Sequence, residues 1–171
     1  MIILTGGKTL GHVTPLISIA KHINDDLVYI GQKGSMEEKE ANKNNIAFFS
    51  IKAYPLSINP LKFLRMLFYL FKEAIRIRLK FMHVDKIYSS GGFVSASAIL
   101  AFSKKKTVKI LLEPNTTLGI ANKVFLPFVT HLYTGFPTIN HKKAIYTGMP
   151  LIIAKTSFDD PWLYMKGEKI L

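Results

Sequence analysis

Short apolar runs alternate with longer amphipathic stretches along the whole of this 171-residue chain. That rhythm constrains the fold more than any other feature. Ile2-Ile3-Leu4-Thr5 reads as a buried strand, followed by a glycine-rich loop and a helix from about Thr14 to Ile23. Leu27–Ile30 and Ala47–Ile51 read as the next two strands. Between them Ser35 and Glu38 form a capping box for a short polar helix that reaches about Asn44. A loop bounded by Pro55 and Pro60 leads into a long helix over Leu61–Met82. Strands at Lys86–Ser89 and Val108–Leu112 then alternate with helices at Val94–Phe102 and Leu118–Phe125, and His131–Thr134 and Ala144–Thr147 are the last two strands. Strands separated by helices give a parallel sheet with helices on both faces, an α/β fold. Residues 1–150 carry this rhythm, and it fades from Gly148-Met149-Pro150 onward. Lys169-Ile170-Leu171 reads as the start of a further strand.

Composition narrows the class. Apolar residues make up 49% of the chain and charged residues 20%, a balance that supports a packed core rather than disorder. Twenty-three Lys and Arg against eleven Asp and Glu leave a net charge of +12, which calls for an anionic partner. With no cysteine there is no disulfide, no thiolate-bound zinc and no thiol nucleophile. The N-terminus has no basic leader, so it does not read as a signal peptide. In residues 61–82 a charge falls on nearly every turn, which excludes a membrane span there. A cytoplasmic location is the expectation.

In a sheet of this kind ligands sit beyond the carboxyl ends of the strands, where loops run into helix N-termini. Three loops stand there. The first is Thr5-Gly6-Gly7-Lys8-Thr9-Leu10-Gly11-His12. Its glycines let backbone N–H groups turn toward an anion. A Walker loop ending at Gly7-Lys8-Thr9 would need glycine where Ile2 stands, and a dinucleotide fingerprint from Gly6 would need it at Lys8. Both are excluded, leaving either a phosphate loop of another kind or a plain turn, with His12 at its exit as a candidate general base. The second loop, Ser89-Ser90-Gly91-Gly92-Phe93-Val94-Ser95, suits close backbone packing or anion binding. The third, Glu113-Pro114-Asn115-Thr116-Thr117 through Gly119 to Asn122, puts a carboxylate and two amides beyond the fifth strand.

The long helix carries a basic stripe of Lys62, Arg65, Tyr69, Lys72, Arg76 and Lys80. Two apolar sides flank it, one with Leu64, Phe68, Phe71, Ile75 and Leu79, the other with Phe63, Leu67, Leu70, Ala74, Ile77 and Phe81. Packing on a sheet needs one apolar side, and a surplus side beside cations suits an anionic membrane surface. Lys62, Arg65, Phe68, Phe71, Lys72, Ile75 and Arg76 are the expected membrane contacts. A nucleic acid ranks lower as partner. No recognition helix, RNA-binding strand or zinc signature is present, and the aromatics cluster with aliphatic residues.

Residues 5–15, ending His12-Val13-Thr14-Pro15, resemble the opening glycine loop of the MurG family. Its members add N-acetylglucosamine to an undecaprenyl-diphosphate-linked muramyl peptide in cell-wall (peptidoglycan) synthesis. Gly91-Gly92-Phe93-Val94-Ser95 resembles the family's second glycine loop, and residues 113–123 resemble its Glu-containing acceptor loop. Tyr146-Thr147-Gly148-Met149-Pro150 resembles the segment that closes its first domain. The matches are in order and cover essentially the whole chain. The resemblance implies the Rossmann-like N-terminal half of a two-domain GT-B glycosyltransferase, peripheral on the cytoplasmic face of the membrane. Residues 151–171 would be the linker and first strand of a donor-binding domain that does not follow. Gly6, Gly7, Lys8, Thr9, Gly11, Gly91 and Gly92 would grip the acceptor diphosphate; Ser95, Glu113, Asn115 and Asn122 would line the acceptor pocket. His12 would be the base for the muramyl 4-hydroxyl in an inverting transfer from UDP-N-acetylglucosamine, with no cofactor and no metal. The sequence departs from the family at Lys8 and Leu10, where small residues are usual, and at Leu112, where a histidine is usual. The donor half would be a separate subunit or a lost domain. A non-catalytic membrane-docking subunit and a basic nucleic-acid-binding domain are the other readings.

Overall fold

The structure, a computed structural model, describes residues 1–7, 9–104 and 106–150. The expectations for Lys8 and for residues 151–171 lie outside the described residues. Seven strands form one all-parallel sheet: β1 Ile2–Thr5, β2 Leu27–Gln32, β3 Ala47–Ile51, β4 Lys86–Ser89, β5 Val108–Glu113, β6 His131–Thr134 and β7 Ala144–Tyr146. Their spatial order is β3-β2-β1-β4-β5-β6-β7. The helices are α1 Leu10–Ala20, α2 Met36–Lys43, α3 Pro60–Lys80, α4 Phe93–Ala101 and α5 Ile120–Phe125, the last followed by a 3-10 turn at Leu126–Phe128.

Alternation along each strand sorts the core into two faces. Ile3, Val28, Ile30 and Ile87 point to one side and meet Ile77 of α3 and Val94, Ala98 and Phe102 around α4. Leu4, Tyr29, Ile110 and Leu112 point to the other and meet Val13, Leu16 and Ile17 of α1 and Ala41 of α2. Beyond β5, Leu111 and Leu132 pack with Ile99, Phe125 and Leu126. Almost every strand residue in the centre is apolar because a parallel sheet is covered on both sides.

The chain builds outward from β1 to β3, then crosses over through α3 to return as β4 on the other flank of β1. The strand order reverses between β1 and β4, and at such a switch point the two outgoing loops diverge and leave a crevice at the carboxyl ends. β5, with the third loop, stands next to β4. Topology therefore brings all three loops to one rim.

Helix ends differ from expectation by up to four residues, most at α1, which ends at Ala20 rather than Ile23. α1 starts at Leu10 rather than near Thr14, so Gly11 and His12 are helical and Pro15 lies inside the helix. Proline there forgoes the bond its N–H would make to the Gly11 carbonyl and crowds that carbonyl with its ring, and because Gly11 is exposed the carbonyl can turn to water.

Candidate functional site

The three loops are held together by backbone close approaches that only glycine permits. A Cβ on Gly6 would lie 2.0 Å from Ser90 Oγ, and one on Gly91, whose φ is +91°, would lie 2.0 Å from Asn122 Oδ1. The first loop thus presses on the second, and the second on the third. Beneath them the buried Tyr29 hydroxyl donates to the Gly6 carbonyl at 2.9 Å. Burial and the nearby Glu37 carboxylate push the Tyr29 phenol well above its ordinary pKa, so it stays a neutral donor.

Over these loops opens a cavity of about 710 Å³. Gly7, His12, Gly92, Glu113, Asn115 and Asn122, all candidates from the sequence, lie on its wall. Gly6 and Gly91 shape the loops at their contacts, while Thr9 and Gly11 sit exposed at the start of α1. Ser95, the remaining expected pocket residue, lies behind the second loop. It is fully buried and its hydroxyl donates to the Gly91 carbonyl at 2.9 Å, so it braces the second loop from inside.

Two helices present open N-termini here. Thr9 before α1 and Gly92 before α4 make no side-chain cap, and neither helix has an acidic residue in its first turn. Their leading N–H groups and partial positive charge suit an anion. α2 is different: Ser35 Oγ accepts from the Glu38 N–H, Glu38 accepts from the Gly34 N–H, and Glu37 adds a second carboxylate.

His12 is oriented by its neighbour. Nδ1 lies 2.8 Å from the Ser90 carbonyl oxygen, which can only accept, so Nδ1 carries the proton. The neutral ring therefore leaves Nε2 with a lone pair, the form a general base requires.

Glu113 occupies the rim in another way. Its fully buried carboxyl accepts four hydrogen bonds from its own loop. Oε1 takes the Asn115 backbone N–H (3.1 Å) and side chain (2.8 Å); Oε2 takes the Gly119 N–H (3.0 Å) and Asn122 Nδ2 (2.7 Å). With both oxygens engaged, Glu113 organises the third loop. Asn122 Oδ1, Ser90 Oγ and Thr5 Oγ1, buried around the three loops, have no hydrogen-bond partner among the described residues.

Glu37 was not anticipated. It is buried on the cavity wall, accepts from the Gln32 N–H at 3.3 Å, and would meet a Cβ on Gly7 at 2.6 Å. The capping pattern of Ser35 and Glu38 marks the start of α2, and nothing in the local sequence shows that Glu37 turns inward. Among the described residues no cluster of three His, Asp or Glu could hold a metal ion.

On the outer face, Leu64, Phe68, Phe71, Ile75 and Leu79 of α3 are all exposed, whereas Ala74 and Ile77 are buried. Lys62, Arg65, Lys72 and Arg76 run beside the exposed side, with Arg76 paired to the buried Glu73. The loop before α3 adds Leu56 and a wholly exposed Ile58, which the pattern Pro55-Leu56-Ser57-Ile58 could have flagged. No helix among the described residues is long and apolar enough to cross a membrane.

Residues 2–134 match the family model described as the glycosyltransferase family 28 N-terminal domain. A UDP-N-acetylglucosamine–N-acetylmuramyl-(pentapeptide) pyrophosphoryl-undecaprenol N-acetylglucosamine transferase of Clostridium perfringens is 34% identical over 88% of this chain and 45% of its own length. A second transferase of that name, from Bacillus cereus, is 31% identical over 88% of the chain and 46% of its own. Among solved structures, Acinetobacter baumannii MurG superposes with a TM-score of 0.70 at 21% identity, over 94% of this chain and 47% of that one. The chain spans about half the length of the curated relatives it matches.

Proposed function

The chain belongs to the glycosyltransferase family 28 N-terminal domain family, and from that premise we propose that it is the acceptor-binding half of an inverting N-acetylglucosaminyltransferase. The acceptor is a lipid-diphosphate-linked muramyl sugar and the donor is UDP-N-acetylglucosamine, brought by a donor-binding half outside the described residues. The observation that carries this reading is the convergence, in one cavity at the sheet's switch point, of two uncapped helix N-termini with an oriented histidine.

The chemistry follows from that placement. The N–H groups leading α1 and α4 face the acceptor diphosphate and neutralise part of its charge. The muramyl 4-hydroxyl approaches Nε2 of His12, which takes its proton as the oxygen attacks the anomeric carbon of the donor sugar. The bond from that carbon to UDP breaks with its electron pair leaving on the diphosphate, and the configuration inverts. Glu113 keeps Asn115, Gly119 and Asn122 in place around the sugar. The exposed apolar side of α3 and its cations rest on the anionic face of the cytoplasmic membrane, where such an acceptor resides.

Calorimetric titration tests the assignment of halves. A soluble analogue of the lipid-diphosphate acceptor binds this chain and UDP-N-acetylglucosamine does not; the reverse order would overturn the reading. With a donor-binding half supplied, His12→Ala lowers transfer by roughly a hundred- to ten-thousand-fold. Unchanged transfer would remove His12 from the mechanism.

A further inference from the structure

A second cavity of about 250 Å³ lies beside the first, walled by α3, α4, α5 and the segment after β3. Its lining is almost wholly apolar, with Met66, Leu67 and Leu70 from α3, Ala96 from α4, and Val124 and Phe125 from α5. Ala53, Tyr54, Phe93 and Ile120 belong to the walls of both cavities. The two therefore form one trough, with the glycine loops, His12, Glu113, Asn115 and Asn122 in one part and a hydrocarbon-like lining where three helices meet.

The boundary between the two parts is cationic and aromatic. Arg65 donates to the Tyr54 hydroxyl at 2.8 Å and its guanidinium lies 4.4 Å from the centre of that ring. Tyr54 packs on Tyr69 at 5.0 Å, and the Lys52 and Lys72 ammonium groups sit 5.7 and 5.6 Å from the Tyr69 ring. Tyr54 is thus fixed where the trough changes character.

We propose that this chamber holds the first isoprenyl units of a polyprenyl diphosphate, the hydrocarbon bonded directly to the diphosphate. The inference rests on the placement of that diphosphate at the glycine loops proposed above. An apolar cleft open on one side to solvent accepts hydrocarbon of matching shape. Joined to an anion-suited cleft across a cationic boundary, it complements a molecule charged at one end and branched-apolar at the other. A sugar nucleotide has no hydrocarbon to place there. The sides of α3 divide the work: Leu64, Phe68 and Ile75 face outward, while Met66, Leu67 and Leu70 line the chamber. Docking on a bilayer and gripping one lipid are then separable properties of a single helix.

The test uses the full chain and three probes below their aggregation limits: farnesyl diphosphate, inorganic diphosphate and farnesol, measured by calorimetry. Farnesyl diphosphate is expected to bind at least tenfold more tightly than inorganic diphosphate. Val124→Trp, which fills the chamber from an exposed position, removes that advantage and leaves inorganic diphosphate binding unchanged. Leu70→Asp does the same by making the lining polar, and far-UV circular dichroism checks the fold of both. Phe68→Ser with Phe71→Ser leaves the advantage intact. Equal binding of farnesyl and inorganic diphosphate would overturn the chamber while the diphosphate site stands. So would an advantage that survives both chamber variants. Farnesol binding that Val124→Trp blocks, with no binding of inorganic diphosphate, would uphold the chamber and overturn the diphosphate placement. No binding of any probe would overturn both.

Discussion

Glu113→Gln and Glu113→Ala separate a carboxylate that builds a loop from one that reacts. In the glutamine variant one oxygen becomes an NH₂ group and two accepted hydrogen bonds are lost. The amide settles with its NH₂ toward Asn115, which is exposed and can turn its donors to water, and keeps its oxygen on Gly119 and the buried Asn122. A hydrogen bond to a charged group contributes about 1.5–3 kcal/mol, and water recovers part of the two lost, so the expected destabilisation is about 2 kcal/mol. Alanine removes all four bonds, strands the Asn122 amide in the interior and leaves a void, for about 4 kcal/mol. Urea unfolding followed by far-UV circular dichroism reads both, through the midpoint at constant slope. An alanine variant within about 0.5 kcal/mol of the parent would refute the account. Loss of transfer at full stability would instead make Glu113 a group that acts on substrate.

Gly91→Ala forces a Cβ into Asn122 at an unfavourable φ, which costs about 3 kcal/mol and lowers Tm by roughly 9 °C; differential scanning calorimetry reads it. Phe68→Ser combined with Phe71→Ser removes about 1 kcal/mol of apolar transfer at each position, so partitioning onto anionic vesicles falls roughly thirtyfold in co-sedimentation. Retained partitioning would move the docking surface elsewhere. The buried Tyr29 phenol ionises only above its ordinary value of 10.0, so the unfolded chain gives up that proton first. Its contribution to stability is present below pH 10 and declines as pH rises beyond it, and Tyr29→Phe flattens that decline in urea midpoints measured from pH 8 to 11.

The strands were the most legible part of the fold, because Ile2–Leu4, Leu27–Ile30 and Val108–Leu112 are apolar runs too short for helices and bounded by turns. The surplus side of α3 was also readable, since Leu64, Phe68, Phe71, Ile75 and Leu79 recur at helical spacing and lie exposed among the described residues. α1 starts earlier than its pattern predicts because Gly11 and Pro15 both argue against helix locally, while packing of Val13, Leu16 and Ile17 on the sheet outweighs them. Around the cavity, loop position placed His12, Glu113 and Asn122 together. Spacing says nothing of where a side chain points, so the inward turn of Ser95 and the loop-bound carboxyl of Glu113 appear only in the structure. The apolar chamber needed three helices from distant parts of the chain and had no local signal at all.

The hydrogen bond from His12 to the Ser90 carbonyl has a consequence for how the ring handles a proton. Nδ1 is a donor in the neutral ring and remains one in the imidazolium, so the same contact survives gain and loss of a proton. The ring needs no flip and no new partner when Nε2 gains or loses a proton. For the base proposed above, Nδ1 would act as a fixed pivot while Nε2 exchanges its proton with no change in the Ser90 contact.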